Sequence, residues 1–263
     1  MTPDRVLAIF AHPDDESIVA GGTLAACAAA GLDTIILCVT RGEQGPIAHT
    51  DLATRQTLGA VREAELRAAA KALSVATVEC RGYADGDLES ADKTALMTDI
   101  RHVLQRWRPD AVITFGPEGL YWHPDHIAVH DFTMAVLDSM TDDGFSPWVY
   151  HATYPKGRMA ELASAMARRG LATNLWNLDP DDFGVRPSLI TTVVDVRSFL
   201  VPKLRALRSH RSQLDADHLF QVMPDDIAGE FLGHEYFVRV RPRKATGDWL
   251  ADIVSGRARG RTP

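Results

Sequence analysis

Cysteine is scarce in this chain. Cys27, Cys38 and Cys80 are all there are, odd in number and set in apolar contexts. That argues against a disulfide framework or a thiolate metal site and fits a reduced, cytoplasmic protein with buried thiols. Long apolar runs are missing too: the Ala-rich stretch 25–30 is too short, and too close to Asp33, to span a bilayer. Met1-Thr2-Pro3-Asp4-Arg5 leads straight into a strand-like run and carries no cleavable-signal pattern. Basic runs are absent, and the formal net charge is -7, so no nucleic-acid surface is expected. The basic residues from Arg257 to Arg261 read as a frayed tail. No Gly-x-Gly-x-x-Gly follows the first strand, as a dinucleotide site requires, and Gly21-Gly22 falls inside the next expected helix.

What is present is an ordinary globular composition, 46% apolar and 24% charged, over 263 residues. A single domain over 1–263 is expected, with a core at 5–140 and a part at 141–263 that shapes the substrate pocket. Apolar runs at 6–10, 34–40, 76–80 and 111–115 read as strands. Helical patterns at 18–30, 55–73 and 94–108 lie between them. This alternation predicts an α/β fold, a parallel sheet with helices on both faces. In the usual strand order of such sheets, the first and fourth strands are neighbours. Further on, the pattern is less regular: a strand at 148–154, a helix at 159–169, a polar loop at 174–187, a strand at 190–196, a helix at 201–210 and a closing strand at 234–240.

Two related motifs stand at strand ends. Ala11-His12-Pro13-Asp14-Asp15-Glu16 follows the first strand, and His123-Pro124-Asp125-His126 comes shortly after the fourth. Proline directly after histidine suits the first position of a helix. One imidazole and three carboxylates within five residues call for a cation to share the charge. His12, Asp15 and His126 make two imidazoles and a carboxylate, the pattern of a catalytic zinc site with an open position. Iron or nickel suits the same set. Asp14 is then free to act as general base, and His123 to stabilise an oxyanion or protonate a leaving amine. Asp125 would orient a ligand histidine from behind. A plainer reading of Asp14, Asp15 and Glu16 is that they are acids favoured by a helix N-terminus, and for Glu16 the two readings stay open. His130 follows His126 by one turn without the glutamate of a zincin motif, so it reads as a core or supporting residue. His49, His102, His151 and His218 read as surface or core positions. Arg41, Arg62 and Asp85, expected on loops around the site, favour a polar substrate. Tyr121 and Trp122 either line the pocket or simply pack.

The paired motifs resemble those of the LmbE/PIG-L family of zinc-dependent de-N-acetylases. The resemblance extends through Thr40-Arg41-Gly42-Glu43, through Arg62-Glu63-Ala64-Glu65-Leu66, and on to Lys203 and His210-Arg211-Ser212-Gln213. It implies a Rossmann-like three-layer fold, a mostly parallel sheet with an irregular C-terminal extension, and hydrolysis of an N-acetyl group, commonly from a glucosamine unit. By motif position it implies Zn2+ on His12, Asp15 and His126, Asp14 as general base, and His123 as oxyanion stabiliser or acid. In the related thiol-biosynthesis deacetylases, the residues matching Arg62, Asp85 and Tyr121 touch substrate. The implied partner is a small-molecule amino sugar, with a thiol-sugar conjugate or another N-acyl glycoside as the alternative; a homo-oligomer is left open. Residues 141–187 match no part of the family pattern and are expected to carry substrate preference. Two rivals are weighed against this reading. A nucleotide-dependent oxidoreductase lacks its glycine loop here, and a non-catalytic metal- or sugar-binding module would not need the full catalytic set.

Overall fold

The computed structural model describes residues 4–141, 144–242 and 246–257; the tail expected to fray lies outside them beyond Arg257. The first strand, β1 (Arg5–Phe10), is buried without alternation from Val6 to Phe10. A strand that is apolar at every position must be covered on both faces. It is flanked by β2 (Asp33–Thr40) and β4 (Ala111–Phe115), both parallel to it, with Val6 opposite Thr34 on one side and Ala111 on the other. With β3 (Thr77–Tyr83), β5 (Trp148–Thr153), β6 (Thr192–Asp195) and β7 (His234–Arg241), the order is β3-β2-β1-β4-β5-β7-β6. The first five strands are parallel; β7 runs antiparallel to β5 and to β6. The expected adjacency of first and fourth strands is therefore met, and the closing strands draw the C-terminal part into the same sheet.

The expected helix at 18–30 is two helices. α1 (Asp15–Val19) and α2 (Gly21–Ala29) meet at Ala20, and Gly21-Gly22 begins α2 instead of lying inside a helix. The break follows from what holds the start of α2. The buried carboxylate of Glu235 accepts from the amides of Gly22 (2.8 Å) and Thr23 (2.7 Å), and Lys203 pairs with it at 2.7 Å. The amides that a phosphate would need are thus already occupied. Pro13 is not the first helical residue either. Asp14 precedes α1 with φ +122°, a conformation that no helix accepts.

α3 (Leu58–Ala72) and α4 (Lys93–Trp107) match their expected spans within three residues. After β4 comes α5 (Gly119–Trp122), a single irregular turn, then α6 (Pro124–Ser139), with Pro124 at its start as expected. α7 (Arg158–Arg168) and α8 (Leu200–Leu207) follow, then the short α9 (Leu219–Val222), α10 (Asp225–Phe231) and α11 (Trp249–Val254). α2 and α3 pack against α8, whereas α4 packs against α6, giving a helical layer on each face of the sheet. Among the described residues no helix is long and apolar enough to cross a membrane.

Candidate active site

The site lies where the sheet topology puts it, beyond the carboxyl ends of β1 and β4. His12 follows β1 by two residues, Asp15 opens α1, and His126 sits in the first turn of α6. His12 Nδ1 is 3.1 Å from His126 Nε2, Asp15 Oδ1 is 3.3 Å from His126 Nε2, and Asp15 Oδ2 is 3.6 Å from His12 Nδ1. All three side chains are nine-tenths or more buried.

The outward nitrogens of the two rings decide what the inward ones present. His126 Nδ1 lies 3.2 Å from the carbonyl of Gly119, so that nitrogen carries a proton. His12 Nε2 lies 3.1 Å from Asp85 Oδ1 and 3.2 Å from Asp125 Oδ2, both acceptors. Neutral rings with these tautomers turn two bare lone pairs toward each other and toward a carboxylate. Such a contact needs a cation at its centre, a proton or a metal ion. The separations are those of neighbouring ligands on one small ion with bonds of about 2.0–2.2 Å. The fit to a divalent metal is therefore good on donor type, tautomer and spacing.

The electrostatics show the same demand for positive charge at this centre, which a proton on His12 meets when no metal ion does. Burial opposes charge on His12, but hydrogen bonds to Asp125, Asp15 and Asp85 outweigh it and hold its pKa well above the usual histidine value. Burial likewise opposes charge on Asp15, and His126 and His12 overcome it, keeping the carboxylate well below its usual range. Donor atoms of His12, His123 and His126 also lie within 4.8 Å of one another, as do those of His12, Asp85 and Asp125. The second of these groups is explained by hydrogen bonds to the outer face of His12.

Around this centre the other expected residues take distinct places. Arg62 sits on α3 and not on a loop as expected; it is 4% exposed and donates to the carbonyls of Gly42 (2.8 Å) and Pro13 (2.6 Å) and to Asp14 Oδ2 (3.0 Å). It reaches the pocket wall while bracing Asp14. Burial pushes the Asp14 carboxyl up to about 6, against the pull of Arg62. His123 Nδ1 accepts the amide of Asp125 at 3.2 Å, which leaves its proton on Nε2. Burial, then the neighbouring His126 and His12, bring the pKa of His123 down to about 4, so the ring is neutral near pH 7. Asp85 lines the pocket but is also drawn to His12 and to the amide of Gln44 (2.7 Å), with its pKa lowered to about 2 by His12 despite burial. Tyr121 lines the pocket, packed on Phe183 with ring centroids 5.0 Å apart. Trp122 instead is 64% exposed, and Arg41 turns away to pair with Glu63 at 2.9 Å. Leu120 and Trp122, either side of Tyr121, both have positive φ (+68° and +66°), as does Asp14. Strained non-glycine backbone is thus concentrated at the site.

Glu16 resolves in favour of a specific role. It is 1% exposed; Oε2 accepts the amide of Asp14 at 3.1 Å, and Oε1 meets His210 Nε2 at 3.1 Å. It therefore fixes the strained turn under Asp14, a bracing that motif reading did not reveal. Gln213, part of the motif His210-Arg211-Ser212-Gln213, lines the cavity, as do Gln44, Tyr154, Trp176, Phe183 and Phe220, which were not singled out from sequence. Glu235 was missed although it left a signal: a carboxylate at an inward position of β7, in step with buried Phe237.

Comparison with known proteins adds descent to this geometry. Residues 7–137 match the GlcNAc-PI de-N-acetylase (PIG-L) family. The 1D-myo-inositol 2-acetamido-2-deoxy-alpha-D-glucopyranoside deacetylase of Geodermatophilus obscurus is 31% identical, with 97% of this chain and 99% of that protein aligned. The protein of the same name from Acidothermus cellulolyticus is 33% identical over 90% and 88%. Among solved structures, the N,N'-diacetylchitobiose deacetylase of Pyrococcus horikoshii superposes with a TM-score of 0.61 at 22% identity, covering 90% of this chain and 82% of that one. GalB, the 4-carboxy-2-hydroxymuconate hydratase of Pseudomonas putida, superposes at 0.67 with 19% identity, covering 93% and 99%. The fold alone thus serves more than one reaction. Sequence descent over nearly the whole length is more specific, and by it this chain belongs to the PIG-L family of de-N-acetylases and is an N-deacetylase.

Proposed function

We propose that the chain is a single-domain, cytoplasmic, metal-dependent hydrolase that removes the N-acetyl group from a glucosamine unit within a small conjugate. The glucosaminyl-inositol named for its relatives is the first substrate to test. The observation that carries this reading is the pair of bare imidazole nitrogens, His12 Nδ1 and His126 Nε2, facing each other across 3.1 Å beside Asp15. These three residues would hold the ion, with zinc favoured by donor type. When bound, it would lower the pKa of a water from about 15.7 to about 7 and polarise the acetyl carbonyl.

The remaining work falls to the chain's own groups. Asp14, held by Arg62 and by the Glu16–amide contact, accepts a proton from the attacking water and passes it to the departing amine. His123, with its proton on Nε2, donates a hydrogen bond to the oxygen of the acetyl group as negative charge gathers there. The geometry favours this role over that of a proton donor, because the Nδ1 contact fixes a neutral tautomer. Asp125 fixes the tautomer of His12 from behind. Tyr121, Asp85 and Arg62 border the space the sugar would enter.

Acetate release by protein stripped of metal and then reloaded tests the proposal; activity that survives complete metal removal would refute it. Asp14→Ala is expected to retain the ion, measured by elemental analysis, while turnover falls by about 10²–10⁴-fold.

A further inference from the structure

Of the three thiols expected to be buried, two are. Cys27 and Cys38 are 0% and 1% exposed, whereas Cys80 is half-buried on β3, the edge strand of the sheet. Cys27, on α2, has its thiol pushed up to about 12 by burial and then by Glu235, the state of an inert core cysteine. Cys38 and Cys80 stand together. They are register partners on the parallel strands β2 and β3, so their side chains leave the same face of the sheet. Neighbouring strands lie about 4.8 Å apart, within the roughly 4.4–6.8 Å between Cα atoms that a disulfide bridges. Both sulfurs reach one acceptor, the carbonyl of Thr40, Cys38 at 3.3 Å and Cys80 at 3.4 Å.

The surroundings make the two thiols unlike. A hydrogen bond with Cys38 draws the Cys80 thiol below its usual pKa, with Arg41 and Arg67 helping against burial and Glu63. Glu63 holds those two guanidiniums, at 2.9 Å and 2.8 Å. Burial, then the contact with Cys80, pushes the Cys38 thiol well above its usual value. A half-exposed sulfur with thiolate character beside a buried one that keeps its proton is the arrangement of an attacking and a resolving thiol. The ladder also has slack here. From the Cys38–Cys80 pair to the next one, Thr40–Tyr83, β3 runs one residue longer than β2, so the strands can adjust at this point.

Thr40 connects the pair to the active site. Its amide and its hydroxyl both donate to the carbonyl of Ala11, next to His12, at 2.9 Å each, and the hydroxyl accepts the amide of Gly42 at 3.1 Å. Gly42 in turn holds Arg62, which pairs with Asp14. We propose that Cys38 and Cys80 are a peroxide-sensitive dithiol, and that closing their disulfide displaces the Thr40–Gly42 turn and lowers turnover. The Cys80 thiolate attacks one oxygen of hydrogen peroxide; the O–O bond breaks, hydroxide leaves and a sulfenic acid forms. Cys38 then attacks the Cys80 sulfur; the S–O bond breaks, and the hydroxyl leaves with the Cys38 proton as water. Two thiols are oxidised to one disulfide and one peroxide is reduced to water. The new bond removes both S–H donors from the Thr40 carbonyl. Its formation is independent of the deacetylase reading; its effect on turnover rests on that reading.

The test treats zinc-loaded protein with hydrogen peroxide, quenches with catalase, alkylates and digests with trypsin. Tandem mass spectrometry is expected to find peptide 72–81 joined to peptide 6–41 through Cys38, with Cys27 alkylated. Acetate release from N-acetylglucosaminyl-inositol is expected to fall about tenfold in kcat and to recover with dithiothreitol. Hydrogen exchange of the amides of residues 40–45 is a readout independent of turnover and is expected to quicken. Cys80→Ser should keep the basal rate and lose all three responses. In Cys38→Ala, oxidation should stop at a sulfenic acid on Cys80, trapped by dimedone. Wild-type protein that yields no Cys38–Cys80 bond overturns the inference. A bond that leaves kcat unchanged overturns its coupling to the site. An equal loss of turnover in Cys80→Ser places the peroxide damage at another group and overturns the coupling likewise. Reduced protein that releases no acetate counts against the deacetylase reading alone; mass spectrometry then decides the bond, and unchanged exchange overturns the coupling.

Discussion

Single residues at this site act largely through the hydrogen bonds they hold. Asp125 accepts from His12, from the amide of Gly86 (2.7 Å) and from that of Leu88 (3.0 Å). Asp125→Asn removes the charge behind His12, and metal affinity measured by competition with a chromophoric chelator is expected to fall about 10–100-fold. Gly42 shows how little room surrounds Arg62. Its φ is +63°, and a Cβ there would sit 2.2 Å from Arg62 Nη1. Gly42→Ala is expected to displace the guanidinium from Asp14 and lower kcat by about tenfold or more, measured by steady-state acetate release. The meeting of His12, Asp15 and His126 was legible because each half of the cluster lies within a few residues of sequence, at a strand end whose neighbour the fold class dictates. The braces were not legible as braces. Glu16 and His210 meet across 194 residues of chain, and Glu65 and Ser212 across 147. Motif matching flags such residues but gives no contact between them. Arg41 misled for a related reason: Thr40 and Gly42 on either side of it are buried, while its own side chain is exposed and turns to Glu63.

Elements were readable where burial was uniform. β1, β2 and β4 are continuous apolar runs, and their helices are fifteen residues or so of regular pattern. The split between α1 and α2 was hidden because its cause, Glu235, lies more than two hundred residues away. α9, α10 and α11 are too short to be stable alone and form through tertiary packing. At this scale Glu235 is the sensitive point. Both it and Lys203 are buried to 1% side-chain exposure, so Glu235→Ala strands an ammonium and two amides. A loss of about 3–5 kcal/mol in unfolding free energy is expected by urea denaturation. A Glu235→Gln/Lys203→Met double variant should lose less than the sum of the single changes, because no unpaired charge remains.

For the whole molecule, acid sensitivity follows from histidines buried away from the site. Burial, then the charges of His130 and Arg241, brings His151 down to about 3; burial brings His218 down to about 4, against the opposing pull of Asp215. Each has a buried Nε2 without a partner. In the unfolded chain both take a proton near pH 6.5, whereas the folded chain refuses it until far lower pH. Their contribution is therefore complete above about pH 6.5 and is lost as pH falls toward 4 and then 3. Unfolding free energies from urea denaturation at pH 8 to 5 should fall, by on the order of 1–3 kcal/mol per histidine, and His151→Leu should flatten that decline. Over the same whole-chain scale, one sheet joins the two parts of the chain, and both border the cavity. The family match ends at residue 137, and part of the cavity lining, Tyr154, Met159, Trp176, Leu178 and Phe183 among it, lies beyond that residue. Grafting the stretch around 159–187 from a relative would re-aim the enzyme without rewriting its proton-transfer groups. The same division offers a lineage a path to new substrates along which the hydrolytic apparatus is never dismantled.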